Sequence, residues 1–110
     1  MSQWEQVCGV NDLQADSGIL CLVGDKQIAL FYAPAEKEPR VFAIDNYDPL
    51  GKANVLSRGI IGDINGEPVV ASPLYKEHYN LNTGRCLEDE NISVEAYETR
   101  IVGDLVEIKV

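Results

Sequence analysis

The sequence is poor in the side chains that most catalytic and metal sites use. It has a single histidine, His78, and three cysteines, Cys8, Cys21 and Cys86, which form no Cys-x-x-Cys pair. A lone histidine without a neighbouring nucleophile or orienting carboxylate is more often structural than catalytic. Zinc sites usually need closely spaced cysteine ligands. We therefore predict no catalytic residue and no zinc site in this chain.

Long apolar runs are also missing. None approaches the ~20 residues that span a bilayer, and residues 1–5 lack the basic patch and apolar core of a secretory signal. An odd number of well-separated cysteines is typical of free thiols in a reducing compartment. We therefore expect a cytoplasmic protein in which Cys8 and Cys21 are core residues.

Basic residues are scarce. Nine lysines and arginines stand against 18 acidic residues, which gives a formal net charge of −9. Such a surface repels nucleic-acid phosphates and anionic lipids, so neither nucleic acid nor a membrane is expected as a partner. A basic patch on another protein would be attracted, although solubility alone also explains an acidic surface.

The apolar residues that are present alternate with polar ones at a period of two, which is typical of antiparallel β-structure. The length of 110 residues fits one domain, 1–110. Turn signals such as Asn65-Gly66 separate the apolar segments. The pattern predicts a small β-sandwich or partial barrel whose strands are residues 4–8, 19–23, 27–32, 41–44, 60–64, 68–71, 79–81, 85–87, 94–101 and 105–110.

Three segments are predicted as loops rather than strands. Residues 33–39 carry two prolines and three charges and predict an exposed loop. Residues 46–59, here called the first loop, and residues 72–77, the second loop, flank the central hairpin and read as irregular. Because structureless loops in compact domains are usually functional or inherited from something functional, these two are the candidate site.

The two candidate loops carry the pattern of a known family. Residues 43–50 read Ala-Ile-Asp-Asn-Tyr-Asp-Pro-Leu, and residues 72–84 read Ser-Pro-Leu-Tyr-Lys-Glu-His-Tyr-Asn-Leu-Asn-Thr-Gly. They resemble the Rieske loops Ala-apolar-Asp-x-x-Cys-Pro-His and Cys-Pro-x-His-x-x-x-Phe-x-Leu-x-Thr-Gly, and the shared frame extends over residues 4–110. The resemblance implies a mostly β, Rieske-like antiparallel sandwich or partial barrel with a two-loop subdomain.

The four ligands of a Rieske cluster do not match. A Rieske [2Fe–2S] centre is held by two cysteines and two histidines. The cysteine positions hold Asp48 and Ser72 here, and the histidine positions hold Leu50 and Tyr75. Leucine cannot coordinate iron at all. We therefore expect no metal and no cofactor in this chain, and the four residues mark vestigial ligand positions.

A Rieske-like chain with this loss is similar to the small subunits of assimilatory NAD(P)H-dependent nitrite reductase. The similar strings lie at residues 48–49, 55–59, 70–74 and 83–89. The resemblance implies a large partner subunit with FAD, sirohaem and a [4Fe–4S] cluster, which reduces nitrite to ammonium in nitrate and nitrite assimilation. The chain itself would be a cluster-free, non-catalytic subunit of that enzyme. The alternative is a free-standing β-domain adaptor that binds another protein and has no redox role.

Without a cluster, something else must hold the two loops together. We expect Leu50 and Tyr75 to pack against each other, and Asp48 to accept hydrogen bonds from backbone N–H groups or from Ser72. Mobile, solvated loops are the alternative. Rieske domains face their redox partners with this end, so the resemblance implies that Leu50, Leu74 and Tyr75 contact the large subunit.

Overall fold

The structure, a computed structural model, describes residues 3–33, 40–74 and 76–110. These residues form two single 3₁₀ turns, Val10–Asp12 and Leu56–Arg58, and twelve β-strands. Within the described ranges, no helix is long and apolar enough to cross a bilayer. The strands are β1 Trp4–Gly9, β2 Ser17–Val23, β3 Lys26–Ala33, β4 Arg40–Asp45, β5 Tyr47–Asp48, β6 Ala53–Asn54, β7 Ile60–Ile64, β8 Glu67–Ala71, β9 His78–Asn80, β10 Ala96–Tyr97, β11 Thr99–Val102 and β12 Leu105–Lys109.

All strand pairs are antiparallel, as the alternating pattern predicts. The largest sheet has the order β10-β4-β3-β2, and two three-stranded sheets have the orders β1-β12-β11 and β7-β8-β9. Strands β5 and β6 form a small ribbon inside the first loop. The predicted turn between β7 and β8 is present, because Asn65 and Gly66 both adopt positive φ, 54° and 84°, as a tight hairpin turn of that type requires.

The four-stranded sheet lies between two hydrophobic cores. Alternate residues of β3 and β4 point to opposite faces, so both strands are buried on both sides. Ala29, Phe31, Phe42 and Ile44 belong to one core, which also contains Leu56, Val70 and Tyr79 from the loops and the β7–β9 sheet. Ile28, Leu30, Val41 and Ala43 belong to the other, with Val106 and Ile108 of β12. The domain therefore has three layers of sheet. The two loops lie next to the first core.

Two predicted strands are wrong in extent. Residues 94–101 do not form one strand: β10 pairs with β4 and β11 pairs with β12, and the chain passes from one sheet to the other at Glu98. Residues 85–87 form only isolated bridges, Tyr79 to Cys86 and Arg85 to Ser93. In both places the period of the side chains is that of a strand, but the hydrogen-bonding partner changes after one or two residues.

The predicted loops differ in how well they agree with the structure. The first loop contains the β5–β6 ribbon and the Leu56–Arg58 turn, so it is more regular than its sequence suggests. Of the predicted loop at 33–39, only Ala33 lies in the described part, where it ends β3. Residues 34–39 lie outside the described residues.

Candidate functional site

The first loop is closed by a buried asparagine. Asn46, 1% exposed, follows β4 directly, and its side-chain Oδ1 accepts a 2.7 Å hydrogen bond from the backbone N–H of Ser57. Its carbonyl oxygen accepts a second, 3.0 Å long, from the N–H of Leu56. A buried amide needs such partners, and here they join the two ends of the loop. Sequence reasoning did not identify Asn46, because nothing in the string distinguishes it from other loop asparagines.

The second loop is closed by Ser72. Its N–H donates to the carbonyl of Glu77 at 2.8 Å, and its own carbonyl accepts from the N–H of Lys76 at 3.0 Å. The Ser72 hydroxyl oxygen also accepts a 3.3 Å hydrogen bond from the N–H of Leu74. Together these bonds turn the chain sharply between β8 and β9. Ser72 itself is buried, with 1% of its surface exposed.

Asp48 lies at the centre of the site and is completely buried. Its Oδ2 accepts a hydrogen bond of 2.5 Å from the Ser72 hydroxyl, and its Oδ1 accepts one of 2.9 Å from the Tyr79 hydroxyl. The backbone N–H of Leu50 donates to the same Oδ1 at 3.0 Å. The predicted hydrogen bonds from Ser72 and from the backbone are therefore both present. They join the first loop, the second loop and strand β9 through one carboxylate.

The carboxylate of Asp48 is held in its charged form. Burial by itself opposes ionisation, but the hydrogen bonds from Ser72, from the backbone N–H groups of Gly51 and Leu50, and from Tyr79 outweigh it and lower the pKa of Asp48. The pKa of Tyr79, which donates one of these bonds, is raised. Burial is the larger cause, and the hydrogen bond to Asp48 is the next. The pair is a carboxylate and a neutral phenol at physiological pH.

Leucine side chains cover this network. Leu50 is partly buried and packs against the first core. Leu74 is 48% exposed, yet it lies over Gly51, where a β-carbon would come within 2.5 Å of Leu74 Cδ1 and 3.0 Å of Asp48 Oδ2. The second contact between the loops is therefore apolar and depends on the absence of a side chain at Gly51. The expected packing of Leu50 against Tyr75 involves a residue outside the described part of the chain.

The donors at this site do not fit a Rieske cluster. Asp48 and Ser72 offer oxygen where the cluster takes thiolate. The Ser72 hydroxyl donates its one proton to Asp48. Leu50 offers no donor atom in its side chain. Over residues 3–33, 40–74 and 76–110, no group of three or more histidine, cysteine, aspartate or glutamate side chains is arranged to hold a metal ion.

The lone histidine lies beside the site and contributes to structure. His78 Nδ1 lies 2.7 Å from Glu88 Oε2, and the His78 backbone N–H donates to Glu88 Oε1 at 2.7 Å. The pKa of Glu88 is lowered. Burial by itself would raise it, but the hydrogen bonds from His78 and the charge of His78 outweigh that effect. The contact fastens the segment after Cys86 to β9. It also shows that a carboxylate does orient the histidine, contrary to the sequence-based expectation, because Glu88 lies ten residues away in the chain and is brought close by the fold.

Comparison with known proteins agrees with this architecture. The model of the Rieske-like [2Fe–2S] domain family matches residues 3–109. The chain is 43% identical over 109 residues to the protein named nitrite reductase (NADH) small subunit of Escherichia coli K12, with 99% of each chain covered. The NMR structure of the E. coli protein NirD superimposes with a TM-score of 0.88 at 43% identity, covering 100% of this chain and 98% of that one.

A third relative has a different organisation. The nitrite reductase [NAD(P)H] large subunit of Klebsiella oxytoca is 39% identical to this chain over 98 residues, 89% of this chain but only 10% of that protein. In that relative a domain of this kind is part of a much longer polypeptide. The full-length matches, with their common fold, show that the chain belongs to the Rieske-like [2Fe–2S] domain family and, within it, to the nitrite reductase small subunits.

Proposed function

We propose that this chain is the small, cluster-free subunit of an NAD(P)H-dependent nitrite reductase and that it supports a catalytic large subunit. The observation that carries the proposal is the identity of 43% to a nitrite reductase small subunit over essentially the whole of both chains. The Klebsiella relative supports the choice of partner, because there the equivalent domain lies within a protein named as the large subunit.

The role of the small chain is structural rather than electron-carrying. A buried carboxylate with hydrogen bonds from Ser72, Tyr79 and backbone N–H groups occupies the vestigial ligand positions, and it joins the loops that a cluster would otherwise join. FAD, sirohaem and the [4Fe–4S] cluster belong to the large subunit in this proposal. That subunit reduces nitrite to ammonium in the cytoplasm, as part of nitrate and nitrite assimilation.

The tip of the two loops contacts the large subunit. Leu74 is 48% exposed although it is a large apolar side chain, and it lies over Gly51, the residue that follows Leu50 in the chain. With Tyr75 in the same loop, these residues form the partner-contact candidates. An exposed leucine on a support that is fixed by buried hydrogen bonds suits a protein interface, because its position is set before binding. The net charge of −9 further favours association with a basic patch.

Reconstitution tests the proposal. The purified chain and the sirohaem-containing large subunit are mixed, and binding and NAD(P)H-dependent nitrite reduction are measured. We expect binding and a requirement for the small chain in full activity or stability. Leu74→Asp should weaken binding by about tenfold or more, whereas Leu105→Asp, at a residue of β12 that is 40% exposed, should not. A wild-type chain that neither binds nor alters turnover would favour the adaptor instead.

Iron analysis tests the cluster-free part separately. The chain purified without oxygen should contain no iron and show no visible absorption, because its donor set offers no thiolate and imidazole ligands at the cluster positions. Two irons per chain would contradict this, whatever the result of the reconstitution.

A further inference from the structure

Strand β2 has an open edge with no protective residue. It pairs only with β3 among the described residues and forms the last strand of the four-stranded sheet. Its seven residues, Ser-Gly-Ile-Leu-Cys-Leu-Val, include no charge and no proline. Soluble proteins usually shield such an edge with lysine, proline or a covering segment, since unpaired backbone groups there can pair with another chain.

Among residues 3–33, 40–74 and 76–110, the segment that lies against β2 covers only its first half. The Leu56–Arg58 turn lies against it, so closely that a β-carbon on Gly18 would come within 2.5 Å of the Ser57 carbonyl oxygen. Beyond this point Leu20 is 49% exposed and Leu22 is 70% exposed, while Cys21 between them faces the second core. The second half of the strand therefore presents both an open edge and two apolar side chains.

A groove of about 860 Å³ runs along this second half. One wall is formed by residues 19–26 and the other by residues 5–7 of β1, which is likewise the edge strand of its sheet. The groove is thus lined by two strands that are each the last of their sheet among the described residues. An extended segment fits such a space, because it can pair its backbone with an edge and place alternate side chains against Leu20 and Leu22.

The two ends of the domain meet beside this groove. Gln3 and Val110 exchange two backbone hydrogen bonds of 2.9 Å, and Val110 itself lines the groove together with Glu5. In the Klebsiella large subunit, a domain of this kind makes up 10% of the polypeptide, so the remaining chain continues from at least one of the domain's ends. If that domain folds as this one does, large-subunit polypeptide leaves it at the mouth of the groove.

We propose that an extended segment of the large subunit binds in this groove and adds a strand to the edge of β2. The inference rests on the proposed function for the identity of the partner, and it names a second contact surface apart from the loop tip. The segment alternates apolar and polar residues, with the apolar ones on Leu20 and Leu22. It carries a basic residue near Glu5 and Asp25, because Lys26 in the same groove is already 4.0 Å from Glu95 and lies over the Tyr97 ring.

Two measurements on the complex of full-length chain and large subunit test this contact. Amide hydrogen exchange of residues 19–23 should slow by about tenfold or more on binding, because the edge N–H groups become paired. Leu22→Lys should weaken binding by about tenfold or more, since it introduces a charge into the apolar part of the groove. Val102→Lys is the matched control, because Val102 is 52% exposed on β11, an edge strand at the far side of another sheet.

The outcomes separate this inference from the proposed function. If the wild-type chain fails to bind the large subunit, the proposed function fails and this contact fails with it. If the chain binds but residues 19–23 exchange as before and Leu22→Lys binds as the wild type does, only the groove contact is overturned. Should the isolated chain dimerise and Leu22→Lys make it monomeric, the occupant is a second copy and the proposal is also overturned. The exchange measurement needs no variant and decides the matter even if Leu22→Lys fails to fold.

Discussion

The Ser72 hydroxyl donates a 2.5 Å hydrogen bond to Oδ2 of Asp48 across 24 residues of sequence. Both residues are buried, and they are the two that the Rieske resemblance places at the cysteine positions. A Rieske cluster joins those positions through iron; here a hydrogen bond joins the two side chains directly. The short distance is typical of a hydrogen bond to a charged acceptor, which is stronger than one between neutral groups. The hydrogen bond therefore connects the first loop directly to the second.

Ser72→Ala should lower the free energy of unfolding by about 1–3 kcal/mol, because it removes a donor from a buried carboxylate. Tyr79→Phe should cost a similar amount, since the Tyr79 hydroxyl donates to the other oxygen of Asp48 at 2.9 Å. The double variant should not show the sum of the two losses, because both donors serve one carboxylate. Urea unfolding of the three variants measures this. Ser93→Ala, at an exposed serine, is the control and should change stability by less than about 0.5 kcal/mol.

The lowered pKa of Asp48 predicts a loss of stability in acid. The unfolded chain has the ordinary aspartate pKa near 3.8, so as the pH falls it takes up a proton before the folded chain does. The contribution of Asp48 is therefore complete above that value and disappears as the pH falls through the lower pKa of the folded state. Asp48→Asn should be less stable than the wild type at pH 7, and the difference should shrink in acid. Unfolding measured between pH 7 and pH 2 would contradict this if the difference stayed constant.

Gly51→Ala should leave the fold intact but displace Leu74. The added methyl group meets Leu74 Cδ1, the flexible end of a side chain, and comes within 3.0 Å of Asp48 Oδ2. Overpacking of this kind costs about 1–3 kcal/mol, and binding to the large subunit should weaken if Leu74 is part of the interface. Gly62→Ala is the matched control, because its β-carbon would have no neighbour closer than 3.9 Å. Calorimetry of unfolding and of binding would separate the two effects.

The three thiols should react slowly and unequally in the folded protein. Burial, with a smaller contribution from Cys8, raises the pKa of Cys21 to about 11, so roughly one thiol in a thousand is ionised at pH 8. Burial also raises the pKa of Cys86, which is 3% exposed, while Cys8 is the most accessible of the three. We expect a disulfide reagent to modify Cys8 first and Cys21 about a hundredfold more slowly than a free thiol. Equal rates in the folded protein would contradict this; equal rates in denaturant are the control.

The strands were predictable where a segment keeps the same pairing partner over its whole length. Strands β2, β3, β4, β7 and β8 agree with the prediction to within two residues at each end, because each is an apolar segment that ends at turn or loop residues and keeps the same partners along its length. The prediction was wrong at 94–101 and at 85–87. In both segments the side chains alternate as in a strand, but the backbone changes its pairing partner. The sequence pattern does not show which strand a backbone group pairs with.

The fold class, the position of the two loops and the residue types at the four ligand positions were predictable from the sequence, because each of these depends on residue types in a fixed order. It also indicated that Asp48 needs hydrogen-bond donors, since a buried carboxylate always does. One of those donors, Tyr79, depends on the packing of the sheets and was not predictable. Tyr79 reaches Asp48 from a strand 31 residues away, Asn46 closes the first loop, and the ends of the chain meet beside the edge of β2. Such contacts depend on how the sheets stack, and the stacking follows from burial of the whole core rather than from any local pattern.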